Sequence, residues 1–133
     1  CAGWREMILD ASVGAEIAIR SQVGKRALEA ISEELFTPEI FIAEVHNVLK
    51  KMILTKKISI REANESADVI AELPLTYIHV SQFQAELWNL GLKMSCFDAH
   101  YVILAQELHL PILTLDGRLT RLSGVKVNFV LVS

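Results

Sequence analysis

The sequence predicts one α/β domain: a parallel sheet with helices on both faces. Three observations carry the prediction. Short apolar, β-rich runs alternate with longer segments of helical period, from "MILD" near the start to "VKVNFVLV" near the end. No repeat, low-complexity segment or linker interrupts the alternation. Two of the apolar runs, "MILD" and "PILTLD", end in an aspartate. Strands separated by helices must run parallel, because each return needs a crossover. In such sheets ligands sit beyond the carboxyl ends of the strands, where these two aspartates fall. The chain of 133 residues is one ordinary domain, long enough to bury a core, and 52% hydrophobic content excludes a disordered chain.

The elements follow in order. Met7, Ile8 and Leu9 read as a buried strand that delivers Asp10. Residues 14 to 35 are helical in pattern, as two pieces broken near Ser21 to Gly24. Pro38 suits the first turn of a further helix over 38–54, in which Phe41, Val45, Val48, Leu49 and Met52 recur at helical spacing. Ser59 and Glu62 form a capping-box pair for another helix, which Pro74 closes. "LTYIHV", 75 to 80, is β-rich, and residues 82 to 93 return to helix with Gly91 near its end. Phe97, Tyr101, Leu104, Ala105 and Leu108 make one more apolar helical stripe. "PILTL" is the next strand and "VKVNFVLV" the last.

Several function classes are set aside by composition. No apolar run approaches the ~18 residues that span a bilayer. No basic region followed by an apolar stretch marks a signal peptide at the N-terminus. Cys1 and Cys96 have neither zinc nor redox spacing, so they read as reduced thiols of a cytoplasmic protein. Cys1 to Glu6 are expected to be either native or a foreign terminal extension; a start at Met7 also makes sense. The net charge of −3 argues, taken alone, against a generic nucleic-acid binder.

Two further acids join the strand-end aspartates. Glu44 lies on the 38–54 helix between Ala43 and Val45, at the edge of the apolar stripe. Asp98, in "SCFDAHYVILA", falls in the first turn of its helix beside the apolar stripe. Both should point toward the core boundary, where a lone carboxylate is costly. Each acid has a plain structural reading. Asp98 can be the third position of a capping box begun by Ser95. Asp116-Gly117 is a common turn pair, Asp10 can cap the following helix, and Glu44 can lie at a surface edge. Four acids at two strand ends and two helix edges are harder to attribute to coincidence than any one. Converging carboxylates repel and hold protons more tightly, and a divalent cation removes the conflict. Oxygen ligands without His or Cys suit Mg²⁺ or Mn²⁺, and such a site hydrolyses phosphodiesters.

These residues resemble the PIN-domain ribonucleases, in particular the VapC-type toxins of toxin–antitoxin pairs. "MILDASV" supplies the opening strand with Asp10 and Ser12 two residues on. "PEIFIAEVHNVL" supplies Glu44 with Asn47 three residues later. "FDAHYVILA" supplies Asp98, and "LTLDGRL" supplies Thr114 and Asp116. The resemblance implies a three-layer α/β/α fold with a central five-stranded parallel sheet over residues 1–133. It implies that Asp10, Glu44, Asp98 and Asp116 are the catalytic, metal-binding quartet for one or two Mg²⁺ or Mn²⁺ ions. Ser12, Asn47 and Thr114 would support them. The implied activity is endoribonuclease cleavage that leaves a 5′-phosphate and a 3′-hydroxyl. The implied partners are RNA, a cognate antitoxin and a second copy of the chain. Gly117 stands where some members carry another polar ligand, so one ion is better supported than two.

Basic residues bear on the charge objection. Two bound Mg²⁺ ions would take −3 to about +1 by simple counting. Arg118 and Arg121 leave the catalytic edge and are the favoured RNA phosphate contacts, whereas Lys50, Lys51, Lys56 and Lys57 read as a solvated face. His46, His79, His100 and His109 read as surface or half-buried histidines. Ile40, Phe41 and Trp88 face either the core or a partner. Three alternatives stand beside the toxin reading: an RNA-processing nuclease without antitoxin, an inactive nuclease-like binding module, and a phosphoacceptor signalling domain. The last expects adjacent acids after the first strand, but Ala11 follows Asp10.

Overall fold

The computed structural model describes residues 6–31, 34–117, 119–122 and 127–131. Five strands form one parallel sheet: β1 (Glu6–Leu9), β2 (Glu34–Pro38), β3 (Leu75–Ile78), β4 (Ile112–Thr114) and β5 (Phe129–Leu131). Six helices among the described residues flank it: α1 (Ala11–Ala18), α2 (Gln22–Ala30), α3 (Ile40–Leu54), α4 (Ile60–Glu72), α5 (Gln84–Gly91) and α6 (Cys96–Leu108). This is the three-layer α/β/α arrangement expected. The strand order is β3-β2-β1-β4-β5. The chain steps outward from β1 to β3, then crosses back to β4 on the other side of β1. The winding direction therefore reverses between β1 and β4, and their carboxyl ends open onto a crevice.

The two central strands are apolar throughout their paired stretch. Ile8 pairs with Ile112 and Leu9 with Leu113, and all four are fully buried. A strand covered on both faces has no need of polar alternation, which is why these runs read as continuous apolar blocks. Helix α1 leaves β1 directly, and its small residues allow close packing. A side chain at Gly14 would begin 2.5 Å from the Phe41 ring of α3, so the absence of one lets the ring nest against α1. At Gly24 a side chain would collide with the Glu16 carbonyl, so the first turn of α2 rests on the end of α1. Ser21 caps α2 by accepting from the Gly24 N–H. Ser59 and Glu62 form the full capping box at α4.

Several boundaries differ from expectation, each for a tertiary reason. The helical pattern read over 14–35 becomes α1 and α2, broken at Ile19 to Ser21, and residues 34–38 are instead strand β2. Leu35 lies between Met7 and Leu75 in the sheet, and the buried Thr37 hydroxyl donates to the Leu9 carbonyl at 2.9 Å. These pairings override a local pattern rich in glutamate. Pro38 closes β2 rather than opening a helix, and α3 begins at Ile40. The segment expected as helix from residue 82 starts with a 3-10 turn, Val80–Phe83, before α5. Phe97 is 58% exposed, so the buried face of α6 is Ala99 and Tyr101 to Ala105 instead. Phe41 is core and Ile40 half-buried, whereas Trp88 is 65% exposed.

Candidate functional site

Asp10, Glu44, Asp98 and Asp116 line a single open cleft of about 320 Å³, with Ser12 and Asn47 on its wall. It lies at the carboxyl edge of the sheet, where β1 and β4 part. Each acid arrives from a different element.

Asp10 follows β1 in extended conformation and is only 8% exposed. It occupies the N-cap position of α1 without a side-chain cap, so the helix-capping reading does not account for it. Its Oδ2 accepts from the Ser12 hydroxyl at 2.7 Å and from the Thr114 hydroxyl at 2.7 Å. Both hydroxyls in turn accept backbone donors from the β4 side. The Leu115 N–H donates to Ser12 Oγ at 3.2 Å and the Asp116 N–H to Thr114 Oγ1 at 2.9 Å. A hydroxyl has one proton, and here it goes to Asp10 because a backbone N–H can only donate. The ends of β1 and β4 are thus laced through one carboxylate oxygen. Burial pushes the Asp10 carboxyl above the ordinary aspartate value; the Thr114 and Ser12 bonds oppose the push and the charge of Asp98 adds to it.

Glu44 projects from the half-buried flank of α3. Its Oε1 accepts from the Tyr101 hydroxyl at 2.6 Å. Burial raises the Glu44 carboxyl, the Tyr101 bond works against that, and Asp10 and Asp98 raise it further. Burial and the neighbouring Glu44 also push the Tyr101 phenol up, so it stays protonated and serves as a fixed donor. Asp98 is the third residue of α6, and its N–H donates to Ser95 Oγ at 3.0 Å. The capping reading of this segment is therefore realised at the backbone, while the carboxylate lines the cleft. Asp116 lies just past β4, and its carbonyl accepts the Leu119 N–H at 3.1 Å. That turn is the one read from Asp116-Gly117, and it too leaves the carboxylate on the cleft wall.

The acids share a wall rather than a point. Among the described residues, no three His, Cys, Asp or Glu side chains gather closely enough to form a ready metal cage. The chemistry of the donor set nonetheless fits a hard divalent cation. All four groups are carboxylates, and Asp10 and Glu44 are raised in part by the charge of their neighbours.

The basic residues are placed less tightly. Arg118 lies outside the described residues. Arg121 is exposed and folds back toward Gly117, its guanidinium 3.5 Å from where a side chain there would begin. It does not line the cleft. Lys50, Lys51, Lys56 and Lys57 are all exposed. His46, His79 and His109 are exposed, and His79 pairs with Glu39 at 3.0 Å. Half-buried His100 has Nδ1 2.6 Å from the Cys96 carbonyl, which places the proton on that nitrogen.

The sequence does not single out one residue of the site: Tyr101 stands there as part of an apolar stripe, yet it positions Glu44. Its signal was available: a tyrosine in an otherwise aliphatic buried face carries a hydroxyl that needs a partner.

A parallel sheet of this order with four acids at its winding reversal defines an acidic-cleft α/β domain. The PIN domain sequence profile matches residues 7–125, and the chain belongs to that family. Among curated proteins it is similar to Ribonuclease VapC1 of Mycobacterium tuberculosis, 28% identical over 130 residues, covering 96% of this chain and 98% of that one. Ribonuclease VapC12 of the same organism is 26% identical over 128 residues, covering 96% and 99%. Among solved structures, a toxin–antitoxin complex from Klebsiella pneumoniae superposes with a TM-score of 0.68 at 19% identity, covering 93% and 95%. The Mycobacterium tuberculosis toxin VapC20, described as cleaving the sarcin–ricin loop, superposes with a TM-score of 0.66 at 15% identity, covering 91% and 98%. No described helix is long and apolar enough to cross a membrane.

Proposed function

We propose that the chain is a Mg²⁺- or Mn²⁺-dependent endoribonuclease and the toxin of a type II toxin–antitoxin pair. The observation that carries the reading is the convergence of Asp10, Glu44, Asp98 and Asp116 on one cleft at the reversal of the sheet. These four residues would hold one or two ions. A bound ion supplies activation of water and neutralises charge on the phosphate and the leaving oxygen.

The chain's own groups set the stage. Ser12 and Thr114 occupy Asp10 Oδ2 and so fix how the carboxylate is presented. Tyr101 does the same for Glu44 through Oε1. The Asn47 amide, on the cleft wall one turn beyond Glu44, can donate to a phosphate oxygen. Hydrolysis would leave a 5′-phosphate and a 3′-hydroxyl. Similarity along nearly the whole chain to proteins named VapC ribonucleases supports the toxin reading. A cognate antitoxin, a homodimeric state and a cytoplasmic location belong to the same proposal.

The test is cleavage of a mixed, labelled RNA set that includes structured RNAs, with Mg²⁺, with Mn²⁺ and with EDTA, beside Asp10→Asn. Cutting that needs the metal and disappears in the variant establishes the reading. Absence of cutting in every condition refutes a general nuclease and leaves a narrow-target toxin or an inactive binding module, and calorimetric titration with Mn²⁺ then tells whether the acidic site holds metal. A small open reading frame overlapping the upstream end of the gene would support the antitoxin.

A further inference from the structure

We infer that the RNA strand leaves the acidic cleft along α3, with Lys51 contacting its phosphate backbone. The inference rests on the nuclease reading above.

The rotation of α3 is fixed by its core stripe, Phe41, Val45 and Leu49, all buried. Glu44 and Val48 lie half-buried on one flank of that stripe and line the cleft together with Asn47. At about 100° per residue, Lys51 falls roughly 20° from Glu44 in azimuth, between Glu44 and Asn47. It is displaced roughly 10 Å along the axis, away from the carboxylates. Lys51 is exposed, and among the described residues it makes no ion pair. Its neighbour Lys50 is equally exposed but points about 100° further round, onto the outer face.

Charge gives the stripe its purpose. A chain of net charge −3 that threads a polyanion past four carboxylates needs cations beside the path. Four of its seven lysines lie within residues 50–57, at and beyond the end of α3. The stripe Asn47, Lys51, Thr55 is polar and exposed throughout. Such a stripe offers hydrogen-bond donors and a cation to a phosphate backbone. Arg121, whose guanidinium approaches Gly117 next to Asp116, is a second exposed cation outside the cleft.

The test uses the adjacent lysine as its own control. In the Asp10→Asn background with Mg²⁺, binding of a fluorescein-labelled mixed-sequence single-stranded RNA is followed by anisotropy across a salt series. Lys51→Ala should weaken binding about fivefold at 0.1 M salt, the factor that one lost phosphate contact gives when the salt slope falls by ~0.7. Lys51→Arg should restore it, and Lys50→Ala should leave it within twofold. With Asp10 intact, Lys51→Ala should raise KM and leave kcat near the parent value. Equal losses at Lys50 and Lys51, or none at Lys51, would overturn the α3 path while leaving the nuclease reading standing. No RNA binding by the parent at any salt would overturn both.

Discussion

Thr114 carries the sharpest test of the site's architecture. Its hydroxyl is fully buried and does two jobs: it donates to Asp10 Oδ2 and accepts from the Asp116 N–H. Thr114→Val removes both while keeping the volume of the side chain. The bond to an ionised carboxylate contributes about 1.5–3 kcal/mol, and the bond from the half-buried N–H about 0.5–1.5 kcal/mol. No cavity term is added, so the variant should lose about 3 kcal/mol, a fall in Tm of roughly 10 °C for a domain of this size. The loss should also depend on pH. The Thr114 bond holds the Asp10 carboxyl below where burial alone would put it. Without it the folded-state pKa rises further above the ordinary value of 3.8. The variant keeps its proton to higher pH than the parent, so the stability gap opens as pH climbs through the parent's folded-state pKa and narrows in acid. Thermal melts of metal-free protein at neutral and acid pH, read by circular dichroism, measure both effects. A variant that melts with the parent at neutral pH, or whose deficit is the same in acid, would show that the hydroxyl does not serve ionised Asp10.

The remaining predictions concern the other acids and their supports. Asp10→Asn should lower RNA cleavage by about 100-fold or more. It should also raise the Tm of the metal-free protein at neutral pH. The raised folded-state pKa of Asp10 means that stability is lost as pH rises through it, and Asn removes that loss. A variant that melts lower at neutral pH would contradict the sign. Tyr101→Phe should cost about 1–2 kcal/mol, discounted for the half-exposure of Glu44. It should also move the acid limb of the pH–rate profile upward, because Glu44 loses the bond that holds its proton affinity down; an unmoved limb would refute the coupling. Asp98→Asn should abolish cleavage with the fold retained, since the N-cap bond of α6 is made by the Asp98 backbone N–H and survives the substitution. Unchanged activity in that variant removes Asp98 from the site.

The parts of the fold legible in the sequence were those fixed by local chemistry. The Ser59/Glu62 box, the Ser95 cap and the apolar blocks of β1 and β4 are written in adjacent residues. Strand β2 is not. "ELFTP" carries only two apolar residues, and its strand state comes from Met7 on one side and Leu75 on the other. Pro38 misled for the same reason, since a proline at the end of a strand and one at the start of a helix look alike without the neighbours. Phe97 matched the period of α6, but periodicity does not say whether a neighbour lies over that first turn. The four acids were legible because two strand ends and two helix edges can be located from pattern alone. The support of Asp10 by Ser12 and Thr114 is legible only through the family resemblance, and the bond from Tyr101 to Glu44, 57 residues apart in the chain, is not legible at all, because nothing local links the two groups.

Gly14 bears on the cleft without offering it any functional group. It lies one turn into α1, whose first residue follows Asp10, and it takes the Phe41 ring, which stands one turn before Glu44 on α3. Two carboxylates from distant stretches of chain are therefore gauged against each other by a shim of zero thickness. A single methyl there would have to be absorbed by the ring, and through it by α3. Displacement of a reacting group by about 1 Å can cost a factor of ~10² in rate. The tolerance of such an enzyme is then set inside its packing, by a helix position that contributes nothing but room.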